Sequence, residues 1–218
     1  MKKVTLYSCV FATLTLLPSW PVLASNAVPN PWSVRLGVGR VIFAESADLS
    51  VGGAPLPNSG AKVSDNTAFL FAVDYRFLPN FSVELTGGVP PTTTLRGKGV
   101  LAGTKLGEVT YAPAVLTAKY HVNQLSPIIV PYVGAGLNYT IVTSAKDAGI
   151  ANLDVDNAFA FALQVGVEFR IKSAVGVYLD GKWIKLDTTA KGTVGPNAAK
   201  ADVTLNPLIL SAGLGLHF

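Results

Sequence analysis

Few residues in this chain could do chemistry. His121 and His217 are its two histidines and Cys9 its one cysteine. Hydrolytic catalysis needs a histidine within reach of a nucleophile and a carboxylate, and a zinc centre needs clustered nitrogen or sulfur ligands. Two scattered histidines supply neither. Asp147, Asp154 and Asp156 are grouped but lack the calcium-loop spacing, so a solvated loop is expected. Gly97-Lys98-Gly99 is too short for a phosphate loop and lacks its strand-to-helix setting. Neither an enzyme nor a metal or cofactor site is expected. What remains is a set of charges: Arg35, Arg76, Glu84, Lys119, His121, Glu168, Arg170, Asp180 and Lys182. Their meaning depends on the elements that carry them.

Those elements alternate. From Ala158 to Ile171 the odd positions are Phe159, Phe161, Leu163, Val165, Val167, Phe169 and Ile171, whereas the even ones are small or polar, with Gln164, Glu168 and Arg170 among them. That is the period of a strand with one wholly apolar face. The pattern recurs in segments starting at Trp32, Phe69, Phe81, Leu116, Tyr132, Val175 and Leu208, which makes eight strands. The uncharged stretch 122–145 imitates a membrane helix, but Pro127, Pro131, Gly134 and Gly136 disfavour one. Half of the residues are hydrophobic and 14% are charged, with a mean hydropathy of +0.42. A soluble domain carries about 25% charged residues. A soluble β-sandwich would also turn a polar face outward, and here the large apolar face is unbroken.

Part of the hydropathy belongs to the N-terminus. Lys2 and Lys3 precede an apolar run to Leu17, followed by Pro18 and by Val22-Leu23-Ala24 with a small residue after it: the layout of a secretory signal peptide over residues 1–24. The helix-breaking Pro18 and Pro21 argue against an uncleaved anchor. Cleavage leaves 15 basic and 13 acidic residues, so the basic character gives no reason to expect a nucleic-acid partner.

The exported remainder, residues 25–218, reads as an eight-stranded antiparallel transmembrane β-barrel, the closed form that leaves no backbone group unpaired in lipid. Short links near 78–80, 122–131 and 172–174 alternate with long ones near 44–64, 90–108, 144–156 and 187–201. The short ones are expected on the periplasmic side of the outer membrane of a Gram-negative bacterium, together with both termini. Aromatics sort into two girdles: Trp32, Phe77, Phe81, Tyr120, Phe169 and Phe218 at one boundary, and Phe43, Phe69, Tyr139, Phe159 and Trp183 at the other.

Several strings resemble the OmpW family of small outer-membrane barrels. They are Trp32-Ser33-Val34-Arg35, Pro90-Pro91-Thr92, the run Pro131-Tyr132-Val133-Gly134-Ala135-Gly136-Leu137-Asn138-Tyr139, Asn206-Pro207 and the terminal Phe218. The resemblance covers the mature chain, although the second and fourth long links match little. It implies a narrow, largely apolar lumen that takes small hydrophobic molecules from outside and lets them leave sideways into the membrane. It also implies hand-over to the barrel-assembly machinery through Phe218, and in some members a receptor role for phage or bacteriocins.

The residues themselves divide such a lumen. Eight strands enclose an interior barely wide enough for side chains, which disfavours a water-filled pore. The nine charges named above fall in the periplasmic half, where they are expected to pair into a plug. Leu70, Ala72, Ala158, Ala160 and Ala162 fall in the outer half as the wall of an apolar chamber, and Pro90 and Pro91, unable to donate to a ladder, mark a lateral gap. A plainer reading stays open, in which the prolines end a strand and the alanines fill a tight barrel. So does a second function, a structural or receptor barrel whose loops meet lipopolysaccharide and outer-membrane lipids through Lys62, Lys98, Lys105, Lys146, Lys191 and Lys200.

Overall fold

The computed structural model describes residues 28–218; the expected signal peptide lies outside the described residues. Fifteen strands follow one another: β1 (Trp32–Ile42), β2 (Ser46–Val51), β3 (Ala54–Pro55), β4 (Ser59–Val63), β5 (Asn66–Leu78), β6 (Phe81–Gly88), β7 (Thr92–Gly99), β8 (Lys105–His121), β9 (Ile129–Asp147), β10 (Ala151–Val155), β11 (Ala158–Lys172), β12 (Val175–Lys185), β13 (Asp187–Val194), β14 (Asn197–Thr204) and β15 (Leu208–His217). Eight of them close a barrel in the order β1, β5, β6, β8, β9, β11, β12, β15 and back to β1. The seam joins the first strand to the last, from Ser33 opposite His217 to Ile42 opposite Leu208. Every neighbouring pair is antiparallel, as hairpin connections require.

Alternation fixes which way each strand faces, because a slip of one residue would turn its apolar set into the lumen. Phe69, Phe71, Val73 and Tyr75 of β5 are exposed on the outer surface while Ala68, Ala72 and Asp74, in alternation with them, are buried. The lipid-facing run of β11 from Phe159 to Phe169 suits a hydrocarbon band of about 25 Å on tilted strands. At the end where β1 begins and β15 finishes, Trp32 lies tilted against Tyr75 (4.6 Å between ring centres) and Phe81 meets Tyr120 edge-on (5.2 Å), a belt of aromatic rings.

The structure departs from the sequence expectation in the long links. They are not open loops: β2, β4, β7, β10, β13 and β14, with the upper halves of β8 and β9, form a second tier of ladders, a collar standing on the barrel. One part is the sheet β10-β13-β14-β2-β3, and the other continues the barrel through β4-β7-β8. The alternation is muted there because neither face meets lipid, so small and polar residues suffice. Thr188 and Ala190 of β13 pair with Val203 and Ala201 of β14, and all four face the interior. Phe43 is a second departure. Its expected place is the outer girdle, but Phe43 continues the inward phase of Arg35, Gly39 and Val41, and the ring packs against the core. Collar and barrel join at Asn206-Pro207. Asn206 takes a left-handed φ of 35° and its side-chain carbonyl accepts from Leu186 N (3.3 Å), while Pro207 O accepts from Ile184 N.

Candidate functional site

The barrel interior has two levels. At the lower one, toward the termini, all eight strands send a side chain into a single polar network. Glu84 of β6 is its hub. It accepts from Lys119 (2.6 Å) and Gln164 (2.9 Å) and pairs with Lys182 (3.2 Å) and Arg35 (3.2 Å). Arg35 of β1 reaches on to Glu168 (2.8 Å) and Tyr132 Oη (2.9 Å), and Tyr132 donates to Asp180 (2.8 Å). Lys119 also pairs with Asp74, Lys182 donates to Asp180 (2.7 Å), and His217 of β15 lies 2.7 Å from Glu168. Glu84, Glu168 and Lys119 are almost wholly buried. Charges so enclosed persist only when paired and hydrogen-bonded, and here every carboxylate has several partners. Tyr132 and Tyr178 fit into this layer because Gly166 and Gly37 beneath them have no Cβ: one built on either glycine would collide with the phenol.

Ser82, His121 and Asp74 meet at the edge of the network, a combination that resembles a hydrolytic triad. Its polarity is wrong. A guanidinium only donates, so His121 Nδ1 accepts from Arg76 (3.1 Å). His121 Nε2–H therefore donates to Ser82 (2.8 Å), and Ser82 donates to Asp74 (3.1 Å). The imidazole cannot take the proton of Ser82, and that hydroxyl has no access to solvent.

The upper level is apolar. A cavity of about 120 Å³ runs from the barrel top into the collar. Val41, Leu70, Ala158, Ile184 and Ile209 supply its barrel wall, and Leu49, Leu95, Leu106, Leu153 and Val203 its collar wall. Among the described residues Asp156 is the one charged residue at its edge, and Lys191 holds it from outside (2.8 Å), which keeps that ammonium above its ordinary pKa.

The residues singled out in the sequence distribute as follows. Arg35, Glu84, Lys119, Glu168, Asp180 and Lys182 meet in the network and His121 joins it through Ser82, while Arg76 and Arg170 lie on the rim of a separate cavity at the terminal end. Leu70 and Ala158 line the chamber. Ala160 and Ala162 are packed in the apolar cluster rather than on the cavity wall. Ala72 sits lower, beside Arg35, Glu84 and Tyr178. Pro91 borders the chamber, and Pro90 is exposed beside it. Sequence reasoning missed Asp74, Tyr132, Gln164 and Tyr178 in the network, although each holds an inward position of its strand. It also missed the whole collar wall.

The prolines stand where pairing lapses. β6 pairs with β8 up to Thr86 opposite Val115, and β7 resumes at Thr92 opposite Thr110. Between them Pro90 and Pro91 on one side and Pro113 of β8 on the other have no N–H to donate, and the stretch is held by one backbone bond, Tyr111 N to Pro91 O (3.3 Å). On the other side β5 and β6 part after Leu70 opposite Gly88, apart from Val89 N to Phe69 O. The Asn66 side chain bridges the opening. With its amide turned to satisfy its neighbours, the nitrogen donates to Thr92 O (3.0 Å) and the oxygen faces Tyr111 Oη at 3.4 Å.

A closed eight-stranded ring with an apolar exterior, aromatic belts and a polar interior defines an outer-membrane β-barrel. The sequence pattern of the OmpW family matches residues 32–218, and the chain belongs to that family. It is 38% identical over 201 residues, 92% of either chain, to the dibenzothiophene metabolism operon protein PahQ of Pseudomonas aeruginosa. It is 27% identical over 209 residues to outer membrane protein AlkL of Ectopseudomonas oleovorans, covering 95% of this chain and 90% of that one. Among solved structures, its fold is similar to that of OprG from Pseudomonas aeruginosa (TM-score 0.80, 24% identity, 86% of this chain and 95% of that one). It is also similar to AlkL in lipid bilayers (TM-score 0.70, 26% identity, 93% and 97%).

Proposed function

We propose that the chain admits small apolar molecules at its collar end, holds them in the chamber and releases them sideways into the outer membrane through the interrupted ladder at Pro90 and Pro91. One observation carries the reading: the apolar cavity ends below on a filled polar network and at its side on the lapse in strand pairing. An apolar solute gains nothing by crossing buried ion pairs, whereas beyond the lapse lies hydrocarbon. The transfer from water to hydrocarbon is downhill by about 25 cal/mol for each Å² that leaves water, a gain that begins in the chamber and is completed by the lateral step. At about 120 Å³ the cavity is somewhat smaller than the roughly 150 Å³ that accommodates benzene in a protein core, so its walls must give way even for a single aromatic ring. That a relative is named for a dibenzothiophene metabolism operon agrees with a flat aromatic solute, for which the collar must yield.

In this reading the collar faces outward and both termini face the periplasm. Phe218, at the end of an alternating strand, is the residue presented to the assembly machinery, and the collar lysines meet lipopolysaccharide.

The test is uptake of an apolar fluorescent probe by proteoliposomes. Intact protein is expected to accelerate entry over empty vesicles, and Ala158→Trp, which fills the chamber from its wall, to abolish the gain while strand content is unchanged. Equal rates for the two proteins would overturn the reading.

A further inference from the structure

The terminal end of the barrel opens into a second cavity of about 620 Å³, on the far side of the network from the chamber. Arg76 of β5 and Arg170 of β11 both line it. These strands stand four places apart in a ring of eight, so the two guanidinium groups approach from opposite walls.

Charge does not balance there. The lumen holds five cations, Arg35, Arg76, Lys119, Arg170 and Lys182, against four carboxylates, Asp74, Glu84, Glu168 and Asp180. The carboxylates are already engaged by Arg35, Lys119, Lys182 and His217. Among the described residues no carboxylate lies within bridging distance of Arg76, whose side-chain partner is the His121 ring, and Arg170 reaches Glu168 only at 3.8 Å. Residues 1–27 contain no Asp or Glu that could supply the missing charge. Asp74 and Glu168 share the inner wall of the cavity with Arg35. The Arg35 Nε is buried there without a hydrogen-bond partner, as are Glu168 Oε1, His217 Nε2 and Asn123 Oδ1, so the inner wall carries unmet donors and acceptors while its outer cations stay in excess.

We propose that this vestibule binds a phosphate-type oxyanion clamped between Arg76 and Arg170. Guanidinium forks match such an anion through paired, charge-assisted hydrogen bonds, and a half-enclosed site is shielded from the salt that weakens exposed pairs. Asn123 and Ser173 on the same walls add neutral polar groups. The anion is either free phosphate or the phosphate of a lipid headgroup at the barrel rim. This site is separate from the solute path and stands whether or not the chamber transports.

The experiment titrates inorganic phosphate into the full barrel in phosphatidylcholine nanodiscs, with chloride keeping the ionic strength constant and the melting temperature as readout. A saturable rise with phosphate is expected. Arg76→Gln and Arg170→Gln should each raise the half-saturating concentration about tenfold, while Arg96→Gln in the collar leaves it unchanged. An identical response to chloride, or an undiminished phosphate response in both variants, would overturn the proposal. Because the variants could fold poorly, tungstate soaked into crystals of the unaltered protein gives an independent answer. An anomalous peak between Arg76 and Arg170 supports the site, and its absence there refutes it. Phosphatidic acid nanodiscs separate the sources: loss of the phosphate response assigns the site to a headgroup, and an unchanged response assigns it to the free ion.

Discussion

The two levels of the lumen lie on the same eight strands and have opposite chemistry. The lower level is filled: acids, bases, amides and phenols from every strand interlock around Glu84. The upper level stays partly empty because its inward residues are too small to meet across the ring, as at Ala68 and Ala158. Shape is therefore specified by hydrogen bonds below and by vacancy above. In a barrel too narrow for water-filled transport, that contrast divides sealing from holding.

The contrast can be broken from its polar side first. Lys119→Ala leaves Asp74 and Glu84 buried without their shared cation, and a loss of about 3–5 kcal/mol is expected in denaturant unfolding. Planar-bilayer recording of the same variant should show ion leakage that the parent lacks. A variant as stable and as tight as the parent would mean that the network does not seal. A smaller effect comes from the seam of the upper level. Asn66→Leu removes the amide that spans the lapse in pairing, at a stability cost of about 1 kcal/mol per lost hydrogen bond, and is expected to speed probe uptake by about tenfold. Slower or unchanged uptake would detach Asn66 from the release step.

The smallest effect is reserved for the collar surface. Asp202 accepts from Lys200 (3.1 Å), and that hydrogen bond holds its carboxyl below the ordinary range. A carboxylate depressed in the folded state stabilises above its unfolded pKa, about 3.9, and loses that contribution as pH falls through the folded value. Asp202→Asn should therefore flatten the acid limb of collar proteolysis slightly and change nothing at neutral pH. A large effect at neutral pH would show that the collar depends on surface charge rather than on its ladders.

The barrel was legible in the sequence because lipid enforces strict alternation: Phe159 to Ile171 could be placed, faced and counted without coordinates. The collar was not. Its strands need satisfy only their own ladders and a modest apolar interior, so β13 with its Thr-Thr-Ala-Lys run reads like a loop. The network was half legible for a related reason. Charged inward residues stand out in an apolar chain, whereas Tyr132 and Tyr178 look like girdle aromatics until the glycines that admit them are placed. Pro90 and Pro91 could be read as a weak point, but Pro113 on the neighbouring strand and the Asn66 bridge depend on register, which no single strand contains.

The network also records the order in which the molecule can be completed. Arg35 belongs to the first barrel strand and His217 to the last, and both converge on Glu168 in a strand between them. Until β1 and β15 meet, that carboxylate lacks the Arg35 guanidinium and the His217 ring, an arrangement that lipid penalises heavily. Closure of the seam thus brings in both partners at once. The Arg35–Glu168 pair acts as a proofreading step for the ring, because a chain that shut with β1 slipped by two residues would not present Arg35 at that depth.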